Sequence, residues 1–192
     1  MSTVIVGQSA FQGCTGISQV VLSCGGVSLN AFTGCTNLKE IDLTVPSLTV
    51  QSAMLSIPIT KLTLRGCSTV TSYVFRSCHN LVSVYTVGPT NFSLVGAFEN
   101  CSAITTLSMP SCTQISYATF KNCHALSSVY LPAVTTMGRE CFAFCSNLTT
   151  VDLPALTTFF YSTSGSLMAF YSCPKLSYVR LGGVTTMSSM LL

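Results

Sequence analysis

Apolar residues return along this chain in a fixed order: a small residue and phenylalanine, then cysteine, leucine, valine and leucine at set intervals, A-F-x-x-C-x-x-L-x-x-V-x-L. One copy runs Ala31, Phe32, Cys35, Leu38, Ile41, Leu43, and another Thr119, Phe120, Cys123, Leu126, Val129, Leu131. The anchor stands at Phe11, Phe32, Met54, Phe75, Phe98, Phe120, Phe142 and Phe170, so the step is 21 to 23 residues with one step of 28. The third copy, with Ala53, Met54, Ile57, Ile59, Leu62 and Leu64, is one residue short. A fixed period in this range predicts a solenoid, because a unit this small cannot bury its own apolar face and must stack on its neighbours.

Within each copy, L-x-x-V-x-L predicts a short strand whose alternate residues face in and out. A turn follows, with Pro110, Pro132 and Pro154 in three copies. The stretches Thr135–Met137, Thr157–Phe159 and Thr185–Met187 predict a second extended segment before the next A-F turn. The expected fold is therefore a β-rich repeat solenoid of about eight coils, with a parallel sheet on one face and little helix. At about 4.8 Å per coil it would be roughly 40 Å long.

Composition changes the picture in one respect. Charged residues make up 7% of the chain against 48% hydrophobic, where a globular protein carries about 25% charge. Serine and threonine take the outward places instead. A net charge of +3, without a basic run interleaved with aromatics, argues against nucleic acid as a partner. The first 38 residues carry no charge, yet polar residues interrupt them too often for an 18-residue apolar run, so membrane insertion is not expected. A basic head followed by an apolar block, the mark of a secretory signal, is not seen. Both ends of the chain fall inside a repeat, and residues 1–192 read as a single repeat domain. Two explanations stand side by side: a piece of a longer array, or ends that stack on another subunit through Val4, Val6, Met190 and Leu191.

Eleven cysteines raise the question of disulfides or metal. Seven of them, Cys14, Cys35, Cys78, Cys101, Cys123, Cys145 and Cys173, hold one place in the repeat, where the third copy has Ile57. That exchange marks the place as apolar, since free cysteine packs as a small hydrophobe. Cys24, Cys67 and Cys112 stand where other copies carry Val134 or Leu156, and Cys141 replaces the alanine of A-F. The pairs Cys78–His79 and Cys123–His124 lack the further ligands or orienting carboxylate of a zinc or thiol-imidazole site, so both histidines read as exposed turn residues. No nucleophile elbow, phosphate loop or H-E-x-x-H is present. Neither catalysis, cofactor nor metal is expected.

Flanking the inward valine or isoleucine, the outward strand residues form two rows: Gln19, Glu40, Lys61, Ser83, Thr106, Ser128, Thr150, Tyr178 and Val21, Asp42, Thr63, Tyr85, Ser108, Tyr130, Asp152, Arg180. Exposed tyrosine and arginine are favoured interface anchors, which selects Tyr85, Tyr130, Asp152, Tyr178 and Arg180 as the candidate contact surface. The plainer reading is that tyrosine suits strands and the charges keep the sheet soluble. A second candidate is the expansion in the seventh copy, Phe159 to Ser166, since inserted loops often carry function and are also cheaply tolerated.

The copies A-F-T-G-C-T-N-L-K-E-I-D-L at 31–43 and T-F-K-N-C-H-A-L-S-S-V-Y-L-P at 119–132 closely resemble the BspA-like leucine-rich repeat family, and the resemblance covers nearly the whole chain. It implies a right-handed leucine-rich-repeat array of a kind frequent in surface or secreted proteins. It also implies a binding or adhesion role toward a protein or glycan partner, host-derived where the bearer lives on a host. The contrasting reading is a structural protein that self-associates end to end into an oligomer or filament.

Overall fold

The computed structural model describes residues 4–49, 57–89, 91–92, 95–159 and 168–184. Ala53 and Met54, all of the expansion beyond Phe159 to Ser166, Thr185–Met187, Met190 and Leu191 lie outside them. The chain winds as a β-solenoid with two faces. The first face carries Gln19–Ser23, Glu40–Thr44, Lys61–Arg65, Ser83–Val87 and Thr106–Ser108 in one parallel run, then Ser128–Tyr130, Thr150–Leu153 and Tyr178–Leu181 in another. The second face carries Ile5–Val6, Gly26–Ser28, Ser47–Thr49 and Thr69–Val70, then Gln114–Ile115, Thr136–Met137 and Thr158–Phe159. Phe92 joins the latter run through a single parallel bridge to Ile115. Among the described residues the helical content is one 3-10 turn, Leu29–Phe32.

Parallel strands need a crossover to return the chain to the same end of the sheet. Here the crossover is one coil of the repeat, and it sets the register. Gln19 pairs with Glu40, Glu40 with Lys61, Lys61 with Ser83 and Ser83 with Thr106. The period-2 pattern then sends Val20, Ile41, Leu62 and Val84 inward in one column and Leu43 and Leu64 in the next, all buried. Thr86 continues the second column opposite Leu64. It is 3% exposed, and its hydroxyl has no hydrogen-bond partner.

The anchors form the third column. Phe75 stacks on Phe98 at 5.3 Å between ring centroids, Phe98 on Phe120 at 5.4 Å, Phe120 on Phe142 at 5.6 Å and Phe142 on Phe170 at 5.9 Å. Phe11 stacks on Phe32 at 5.4 Å. Beyond stacking, the turn is held by backbone bonds between coils: Phe98 N–H donates to Thr119 O and Phe120 N–H to Cys141 O. Two places per turn are left-handed, two residues before the anchor (Tyr73, φ 57°; Ala118, φ 54°) and two after it (Asn100, φ 63°; Asn122, φ 61°).

The cysteines are more than small apolar fillers. Cys35 Sγ donates to Phe11 O at 3.1 Å, Cys101 to Phe75 O at 3.0 Å, Cys145 to Phe120 O at 3.2 Å and Cys173 to Phe142 O at 3.1 Å. Each thiol thus adds a second bond to a carbonyl of the coil before it that already accepts a backbone N–H, which valine or alanine could not do. All eleven cysteines are free thiols, nine of them buried, with Cys14 exposed and Cys173 half-buried. Burial pushes the Cys112 thiol up to about 11 and the Cys141 thiol up to about 12, and raises those of Cys123 and Cys145 as well.

Two outcomes follow for stability. Thr86→Val removes an unpartnered buried hydroxyl at nearly constant volume and should raise stability by about 1 kcal/mol, whereas Phe98→Ala should cost about 3–5 kcal/mol; urea titrations followed by circular dichroism measure both. The thiols give a pH window. The native state keeps Cys112 and Cys141 protonated where the unfolded chain ionises them, so stability should be flat to about pH 9 and fall from there toward pH 12. The double variant Cys112→Val, Cys141→Ala uses residues native to those places in other copies and should show a shallower alkaline fall.

Candidate binding face

Outward positions of the first face lie outside the core columns, with the exception that Thr63, expected to face outward, is buried at 7% exposure, and their content is what distinguishes one part of the solenoid from another. Tyr130 pairs with Asp152 and Asp152 with Arg180 across three adjacent strands. Tyr178 lies two residues before Arg180 on the last of them, opposite Thr150. Tyr130 is 59% exposed and Tyr178 51%. Arg180 Nε and Nη2 donate to Asp152 Oδ1 and Oδ2, both at 2.7 Å, so the guanidinium is fixed as a planar fork. Hydrogen bonding to Asp152, with the carboxylate's charge, holds the Arg180 guanidinium above its ordinary value. These four side chains form one patch. Tyr85 stands apart: it lies between Thr63 and Ser108 in the other run of strands, two coils or roughly 10 Å from Tyr130 along the axis, and it is half-buried.

The remaining strand charges pair in the same way. Lys61 Nζ meets Glu40 Oε2 at 3.2 Å, and Arg65 grips Asp42 through bonds of 2.8 and 2.9 Å. Three cations and three anions cancel on this face, so it is electrically neutral as a whole. The other two carboxylates are paired along the turn edge. Glu140 is met by Lys121 Nζ at 2.6 Å and Arg139 Nε at 2.9 Å, and Glu99 by Arg76 at 3.0 Å, whose guanidinium lies 5.1 Å over the Tyr73 ring. Burial pushes the Glu140 carboxyl up, but Lys121 and Arg139 outweigh it and hold it below the usual carboxylate range. All five acidic side chains of the chain are therefore engaged in ion pairs. Among the described residues, no three His, Cys, Asp or Glu side chains gather as a metal would need, and no helix is long and apolar enough to cross a membrane.

His79 and His124 are exposed turn residues, as their place beside a buried cysteine implied. Sequence reasoning passed over the side chains that join them in one groove, Asn100, Ser102 and Asn122. The available signal was the register itself, which sets His79, Ser102 and His124 at one place in three successive copies. It also passed over the ionic chain on the turn edge, whose members sit at places the apolar pattern leaves blank.

Comparison with known proteins follows the geometry. The profile of the BspA type Leucine rich repeat region matches residues 3–93 and 94–191 in six copies, where the anchor positions count eight. No curated protein matches the chain by sequence. Among solved structures, a leucine-rich repeat protein from Bacteroides ovatus ATCC 8483 is similar at 19% identity and a TM-score of 0.59, over 91% of this chain and 51% of that one. A Leucine Rich Repeat protein of T. pallidum is similar at 22% identity and a TM-score of 0.56, over 90% and 71%. A leucine rich cell surface protein from Faecalibacterium prausnitzii A2-165 shares 15% identity at a TM-score of 0.48, over 92% and 63%. The chain thus spans between half and about two thirds of two of these proteins, and the likenesses speak to fold.

The turn edge makes its own pH prediction. The lowered Glu140 carboxyl contributes stability above the ordinary value of 4.5 that is lost as pH falls through its folded value. Denaturation midpoints measured between pH 7 and 3 should fall less steeply in Glu140→Gln than in the native chain.

Proposed function

This chain belongs to the BspA-type leucine-rich repeat family, and from that premise we propose that it is a non-enzymatic binding module of a cell-surface or secreted protein, engaging a protein or glycan partner through the first face. One observation carries the reading: Tyr130, Tyr178 and the Asp152–Arg180 fork converge on three adjacent strands. The support is physical. Two exposed aromatic side chains on a rigid sheet lose little conformational freedom on binding, and Arg180 is already oriented by its carboxylate before a partner arrives. Family membership favours an interaction module over a catalyst, and every carboxylate is already committed to a cation. Location outside the cell rests on the habit of the family, and the burial of nine thiols makes the chain compatible with oxidising surroundings.

The test is the double variant Tyr130→Ala, Arg180→Ala. Circular dichroism and the urea midpoint should stay close to those of the native chain, while affinity for a partner that the native chain binds, read by surface plasmon resonance, should fall at least about thirtyfold. Unchanged affinity with intact folding assigns the contact to another surface.

A further inference from the structure

On the edge where the chain turns past each anchor, away from the patch of Tyr130 and Arg180, His79, Asn100, Ser102, Asn122 and His124 line an open groove of about 350 Å³. Asparagines 100 and 122 precede their cysteines, and His79, Ser102 and His124 follow theirs, so the lining is two rows running across three coils. Asn122 Nδ2 donates to Asn100 Oδ1 at 2.7 Å. That bond orients both amides and leaves the Asn100 nitrogen as donor and the Asn122 oxygen as acceptor. The His79 ring and the Ser102 hydroxyl bond to no described residue, and His124 Nδ1 stands 3.5 Å from Ser146 Oγ. The row of asparagines continues one coil on into Phe144, which is held left-handed at φ 61° and exposed, with Lys121 Nζ 5.6 Å from its ring centroid and the Tyr171 ring edge-on at 5.3 Å. Other copies place Gly34, Ser77 or Asn122 there, residues that adopt this conformation at less cost. The polar groove thus ends at an exposed aromatic pair, Phe144 and Tyr171.

The chemistry of the lining discriminates among ligands. No arginine or lysine lines the groove itself, and Lys121 over Phe144 is paired with Glu140 at 2.6 Å, so phosphate, sulfate and nucleic acid lack a free cation there. His79 and His124 belong to coils two apart, roughly 10 Å, too far to share an ion whose nitrogens sit about 2 Å from it. No aliphatic side chain lines it either, which disfavours an apolar ligand. What remains is a strip of amides, imidazoles and a hydroxyl, repeating along the axis and ending at an aromatic ring. We propose that this groove is a binding site for neutral carbohydrate, a second site separate from the first face. A sugar's vicinal hydroxyls meet the amides and imidazoles, and the C–H side of a following sugar ring meets Phe144.

The test is a titration of the ¹⁵N-labelled chain with maltotriose, cellotriose, mannotriose and chitotriose, following the side-chain amides of Asn100 and Asn122 and the rings of His79 and His124. At least one trisaccharide should shift these signals saturably. Asn122→Gly keeps the left-handed backbone, as Gly34 does in its own copy, and His79→Ala, His124→Ala alters exposed residues only. Each should weaken that binding at least about tenfold, whereas the Tyr130→Ala, Arg180→Ala variant should bind the sugar as the native chain does. The inference is overturned if no trisaccharide moves the groove signals, if inorganic phosphate or zinc moves them and the sugars do not, or if the groove variants bind sugar undiminished.

Discussion

In the regular coils a residue has its counterpart in the next coil, about 4.8 Å away, and that constraint governs the rest. A side chain is acceptable at a given place only if it tolerates its like as a neighbour. Phenylalanine does so by stacking, with interplanar angles of 4° to 8° between successive anchors in the run from Phe75 to Phe142. Cysteine does so by reaching past its counterpart to a carbonyl, as Cys101 does to Phe75 O. A charged residue repeated at one place would repel itself, and the chain instead alternates sign from one coil to the next: Glu40 beneath Lys61, Asp152 beneath Arg180. The scarcity of charge in the composition is a consequence of the stack.

Much of this could be read before the structure, because two periodicities coincide. The repeat fixes which residues are neighbours in space, and the strand alternation fixes which way they face. The pairing of Gln19 with Glu40, Tyr130 with Asp152 and Asp152 with Arg180 is a matter of counting. Cys24 and Cys112 also fell inward, as their place in the repeat implied. What escaped was whatever depends on the turn, where no simple alternation applies. The left-handed places at Tyr73, Asn100, Asn122, Glu140 and Phe144 are set by backbone bonding between coils, and the sequence fills them with unrelated residue types. The ionic chain from Arg76 to Glu140 and the amide bond between Asn122 and Asn100 arise there and left no trace in the apolar pattern. The role of cysteine as a donor escaped for a related reason. An isoleucine at the equivalent place correctly marks it as apolar, and says nothing about the carbonyl beside it.

The candidate contact patch occupies an intermediate position. Its geometry follows from register, which unites Tyr130, Asp152, Tyr178 and Arg180 and leaves Tyr85 two coils away. Its meaning rests on what the fold does not require of those positions: neither Tyr130 nor Tyr178 fills a core column, and the Asp152–Arg180 pair is exposed enough to add little to folding. The same scaffold presents two chemically different surfaces, a strand face with a fixed guanidinium fork, and a turn edge where amides and imidazoles lie beside aromatic rings and the ion pairs of Glu99 and Glu140.

Among the described residues the first-face sheet is interrupted between Thr106–Ser108 and Ser128–Tyr130. At that level the phenylalanine stack runs on from Phe98 to Phe120, and the second-face sheet from Gln114–Ile115 to Thr136–Met137. The pattern is that of masonry with offset joints: a shearing load across the axis at this coil meets two members that pass unbroken through the gap in the third.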